Sequence, residues 1–159
     1  MSDSARDMLR HTVATLAYRG AKAVRGAPEG FGNFRASPGS RTPSQILAHI
    51  CDLMDWALSQ ARGKQVWTDS TPGAWDDDIR RFFAALRFLD DYLASSEPLG
   101  YDPGQIFQGA IADALTHVGQ INFLRRMFGH PVRGENYFRA DIATGRVESD
   151  QAPPRREFD

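Results

Sequence analysis

From Trp75 to Leu93 apolar residues recur at positions 75, 79, 82, 86, 89 and 93, steps of four and three without a break. A helix of 3.6 residues per turn is what brings such positions onto one face. A helix with a single apolar stripe is stable only when that stripe is buried against other elements. The rest of the chain has to supply those partners, and it reads as more helix. Leu9, Val13, Leu16, Ala17 and Val24 repeat at helical spacing from about Asp7, and Gly26 with Pro28 stops them. Thr42-Pro43-Ser44-Gln45 offers a capping hydroxyl, proline at the first helical position and glutamine at the third. Ile46, Ile50, Leu53 and Ala57 then carry a stripe towards Gly63. The helix that holds the opening stripe is predicted to begin near Thr71-Pro72. Its early turns carry Asp76, Asp77 and Asp78, whose charge suits the positive end of the helix dipole. A last helix is predicted from Asp102-Pro103 to Gly129-His130-Pro131, with Ile106, Ala110, Asp113, His117, Gln120 or Ile121, and Leu124 turned inward.

Four amphipathic segments, no internal repeat and no alternation of strand with helix predict an all-α four-helix bundle. A single domain over residues 1–159 is expected, with its helical core at about 7–129 and an irregular arm and tail at about 130–159. The loop 26–41 is long for a connection inside a compact domain, which marks it as functional or mobile. Phe31 and Phe34 within it predict packing back onto the body.

The net charge of −1 gives no general attraction to nucleic acid or anionic lipid, so neither is expected as a partner. The doublets Arg80-Arg81, Arg125-Arg126 and Arg155-Arg156 read as solvated faces. With Cys51 as its one cysteine the chain forms no internal disulfide, as in a reducing compartment. The start MSDSARDML is polar and acidic, unlike a secretory signal. A cytoplasmic protein is expected.

The chemistry concentrates in ADALTHVGQINFLRRMFGHP, residues 112–131. Asp113 and His117 stand four apart, about 40° of rotation and one helical turn, and so point the same way. His49, beside Ile46 and Leu53, faces the interior from another helix. Two imidazoles and a carboxylate between helices suit a divalent cation. The same residues also suit a core pair in which Asp113 holds the imidazole of His117. Cys51 diverges from His49 by about 160° on the helix, which argues against a cysteine–histidine nucleophile and for a small core filler. Asp52 either supports the His49 imidazole or is an exposed helix charge. His11 and His130 carry no ligand pattern.

RTPSQILAHICDLMDWAL and DALTHVGQINFLRRMFGHP resemble the DinB/YfiT-like metalloenzymes, the DinB superfamily. In that family a histidine of the second helix joins a His-x-x-x-His pair of a later one. The resemblance maps His49 onto the first ligand and His117, within HVGQI, onto the last. Asp113 stands where the family usually has the first histidine of the pair. It is still an oxygen ligand and shifts preference towards harder ions, leaving zinc, nickel, iron and manganese open. The resemblance implies a four-helix fold, a homodimer, and activity as a metal-dependent hydrolase or thiol-dependent transferase on a small-molecule substrate. Gln120, Asp52 and Tyr137 are candidates to support the ligands or touch the substrate, with Tyr137 and Asp141 closing over the site from the arm. The alternative is a non-catalytic, metal-free relative that binds a small ligand or a protein partner. Asp113 and the aromatic pairs Phe31–Phe34 and Tyr137–Phe138 motivate it.

Overall fold

Each helix starts where its sequence can satisfy free backbone N–H groups. In the computed structural model, which describes residues 3–159, Asp3 accepts from the amides of Ala5 and Arg6 and opens α1, Ser4–Val24. Met1 and Ser2, of the polar amino-terminal stretch, lie outside the described residues. Thr42 and Gln45 form a reciprocal capping box at the start of α2, Pro43–Ala61. The third helix, α3, runs Trp75–Ala94, beginning with its apolar stripe rather than near Thr71-Pro72 as expected. The residues before it are held elsewhere, for Ser70 is bonded to Asp52. Asp78 accepts from the Gly73 amide and is buried at the turn into the helix.

The fourth helix, α4, is capped by Asp102 and passes through three stretches: Pro103–Ile106, a π-helical turn at Phe107–Ile111, and Ala112–Met127. The turn has a cause in the sequence. Buried Ile106, Ala110, Ala114 and Val118 step by four each time, and in a regular α-helix each such step overshoots one turn by about 40°. A wider i→i+5 turn takes up the excess and keeps the stripe over one face. Beyond it Ala114, Val118 and Ile121 face the core. Asp113, one residue ahead of Ala114 and so about 100° round the helix, comes out at the rim. Asp113 and Gln120 are therefore exposed and Ile121 buried, which corrects the inward positions expected for the two polar residues.

These helices make the expected all-α four-helix bundle. Leu16, Leu47, Ile50, Met54, Phe82, Leu86, Leu89 and Ile121 fill its centre. Two of the six doublet arginines are structural rather than solvated. Arg125 is buried and donates to the carbonyls of Ala23, Arg25 and Gly26, closing the last turn of α1. Arg81 pairs with Asp52 and Asp55. The loop after α1 does pack back: Phe31 is fully buried, edge-on to Trp75 and Phe128, and Phe34 also meets Phe128 edge-on. The arm is less irregular than expected, and its tail is not free in solvent. Gly134–Glu135 (β1) pairs antiparallel with Glu157–Phe158 (β2), Val147 is buried, and Lys22 of α1 binds both Glu135 and Glu157. Among the described residues no helix is long and apolar enough to cross a membrane.

Candidate metal centre

His49 sits near the middle of α2, in a register fixed by the capping box at Thr42 and the buried stripe Ile46, Ile50 and Leu53. Asp113 and His117 come from the first two turns of α4 beyond the π turn. The two helices bring all three together. Nε2 of His49 lies 3.7 Å from one Asp113 carboxylate oxygen, and Nε2 of His117 lies 3.4 Å from the other. One ligand atom from each residue falls within 4.8 Å of the other two, so the group could hold a metal ion. Donors about 2.0–2.1 Å from a tetrahedral centre stand roughly 3.3–3.4 Å apart, so the three side chains would draw closer together around an ion.

The side chains of His49, His117 and Asp113 are 21, 12 and 48% exposed, so the group lies at the edge of the bundle with the carboxylate towards solvent. Nδ1 of His117 donates to the Gln120 side-chain oxygen at 2.7 Å. That bond leaves the Nε2 lone pair turned to Asp113 and His49, as a metal-binding imidazole needs. The two imidazoles meet edge to face, with ring centroids 4.7 Å apart. Burial, together with the neighbouring His117 and Arg41, lowers the His49 pKa against the opposing pull of Asp113 and favours its neutral form.

The connection between α2 and α3 forms a wall beside the group. Trp67 stands edge-on to His49 at 5.6 Å and packs on Trp56 at 5.9 Å. Asp52 secures that wall. Its buried carboxylate accepts from the Ser70 amide and hydroxyl and from Arg81, and it has no bond to His49. Burial alone would raise the Asp52 pKa, but the hydrogen bonds from Arg81 and Ser70 outweigh it and hold the carboxyl below its ordinary range. The expected choice between exposed charge and imidazole support is thus replaced by a third role, a loop anchor. Cys51 is the core filler expected, its thiol pushed up to about 12 by burial.

Of the remaining candidates, Gln120 joins the group and the arm residues do not. Tyr137 packs edge-on to Tyr18 and beneath the Arg19 guanidinium on α1. Asp141 pairs with Arg146 and Arg155. His130 lies against Phe128, and His11 touches the Thr144 hydroxyl.

Two clefts flank the group. One, of about 630 Å³, runs from His117 and Arg41 over Ile46, Phe123, Leu124 and Met127. The other, of about 350 Å³, is bordered by Arg41, His49, Asp69 and Ser70. Arg41 and Trp67 were not among the residues expected from sequence. Both lie outside the helices, where no period marks them, and the one signal was a tryptophan in a polar connection. Compared with known proteins, the chain matches no family model, no curated protein and no solved structure.

Proposed function

We propose that this chain is a DinB-like metal-binding bundle in which His49, Asp113 and His117 hold a divalent cation, acting as a metal-dependent hydrolase or thiol-dependent transferase. One observation carries the reading: three donors from two helices come within 4.8 Å of one another. Gln120 fixing the His117 tautomer supports it. A bound divalent cation supplies Lewis acidity, polarising a substrate oxygen or lowering the pKa of a thiol or water. His49 and His117 contribute neutral nitrogen ligands, and Asp113 adds a negative charge that offsets part of the cation's. Two nitrogens and one oxygen suit zinc, iron, manganese or nickel, and three protein ligands leave positions for water or substrate.

The test is elemental analysis of purified protein, before and after reconstitution, for wild type beside His49→Ala and His117→Ala. Wild type is expected to hold about one equivalent of metal and each variant far less. A wild type with no stoichiometric metal after reconstitution overturns the reading. It would favour instead a metal-free binding protein, in which the Asp113 carboxylate simply spans the two imidazoles.

A further inference from the structure

The larger cleft adjoins the metal group at His117, and its lining changes from polar to apolar. At the group end stand His117 and Arg41, and beyond them the walls are Ile46, Phe123, Leu124 and Met127. Phe123 and Met127 are exposed large apolar side chains. They leave an apolar trough that a flexible chain or a ring could fill. Arg41 has no hydrogen bond or ion pair among the described residues, although it borders both clefts and bears electrostatically on His49. A free guanidinium is a planar donor suited to a carboxylate. With a divalent cation on the two imidazoles and Asp113, the mouth of the cleft carries net positive charge. The smaller cleft, which shares Arg41 and borders His49, presents Asp69, which disfavours a second anionic group there.

Resting on the metal-centre reading, we infer that this site takes a small monocarboxylate with an apolar body: its carboxylate between the cation and Arg41, its body along Ile46, Phe123, Leu124 and Met127. The position of the anion distinguishes this class from neutral apolar compounds, which lose the Arg41 contact. It also excludes dicarboxylates of similar length, whose second charge would lie in the apolar trough.

The experiment is calorimetric titration of cobalt-loaded protein with octanoate, octanol and octanedioate, using wild type, Arg41→Gln and Phe123→Asp. The cobalt(II) visible spectrum is recorded first for each. Arg41 and Phe123 are exposed, so both variants are expected to fold and to load cobalt as wild type does. Octanoate is expected to bind wild type at least tenfold more tightly than either comparison compound, and Arg41→Gln to weaken it roughly tenfold. Phe123→Asp should weaken octanoate by setting a charge against its chain. Equal binding of octanoate and octanol, or no loss in Arg41→Gln, with the cobalt spectrum intact, overturns the inference and leaves the metal centre standing. Absence of a ligand-field spectrum in wild type removes the metal centre, and this inference with it.

Discussion

Gln120 is exposed and contributes little to packing, yet it has one defined task at the residue scale. Its side-chain oxygen accepts a hydrogen bond from His117 Nδ1–H and so fixes which nitrogen presents its lone pair to Asp113. Outer hydrogen bonds of this kind orient a ligand and raise its basicity, and their loss typically weakens metal binding about 10–100-fold. Gln120→Ala is therefore expected to lower metal affinity by that factor in a chelator competition, with an unchanged far-ultraviolet spectrum. Gln120→Glu, which keeps an acceptor and adds charge, should bind at least as well as wild type. Equal affinity in Gln120→Ala and wild type would show that the contact does nothing for the site. That Asp113 and His117 point the same way was readable from spacing, because four residues on a helix fix a direction. Their depth was not readable, since it depends on how α4 is rotated in the bundle.

That rotation belongs to the element scale, where local irregularities decide what the site looks like. The four-residue steps from Ile106 to Val118 were visible in the sequence, but a reading at 3.6 residues per turn treats them as ordinary stripe. The π turn resolves the mismatch and sets Asp113 at the rim. The connection from α2 to α3 was opaque for a different reason: it is held by one buried carboxylate, not by any repeat. Asp52 gathers Ser70 and Arg81 and so keeps Trp67 against His49. Asp52→Asn is expected to cost about 2 kcal/mol at neutral pH, the loss of charge-assisted bonds to a buried group. Trp67 should become more accessible to iodide quenching. The pH dependence follows from the sign of the shift. The folded pKa of Asp52 lies below its unfolded value, so its contribution is fully present above the unfolded pKa of about 3.9 and disappears as pH falls through the folded one. Urea denaturation of wild type and Asp52→Asn should differ by a constant amount from pH 7 to about 5 and converge towards pH 3. A gap as wide at pH 3 as at pH 7 would mean the carboxylate charge is not what anchors the loop.

At the scale of the whole molecule, the bundle was legible because four apolar stripes leave few alternatives, whereas the arm was not. Residues 130–159 carry no long apolar period, and what fixes them is polar. Glu135 is fully buried at its side chain and accepts from the Tyr18 hydroxyl at 2.6 Å and from Lys22 at 2.7 Å. Lys22 also reaches Glu157 on the strand that pairs with β1, so one ionic cluster ties α1, the arm and the tail. Charge in a strongly polar tail reads as solvated, and nothing in the sequence says which of its acids is buried. Removing Glu135 takes the acceptor from the Tyr18 hydroxyl and leaves Lys22 with Glu157 alone, a loss of roughly 3 kcal/mol. Glu135→Ala should therefore lower Tm by roughly 6–12 °C and open residues 136–156 to limited proteolysis. This cluster shares no hydrogen-bonding partner with His49, Asp113 or His117, and effects at independent sites add. Metal affinity is accordingly expected to be unchanged in Glu135→Ala, and its destabilisation to add to that of Asp52→Asn in the double variant. If Glu135→Ala instead weakens metal binding, the arm supports the site after all, and the two ends of the fold act as one unit. If it melts as wild type does, Glu135 is not what holds the arm.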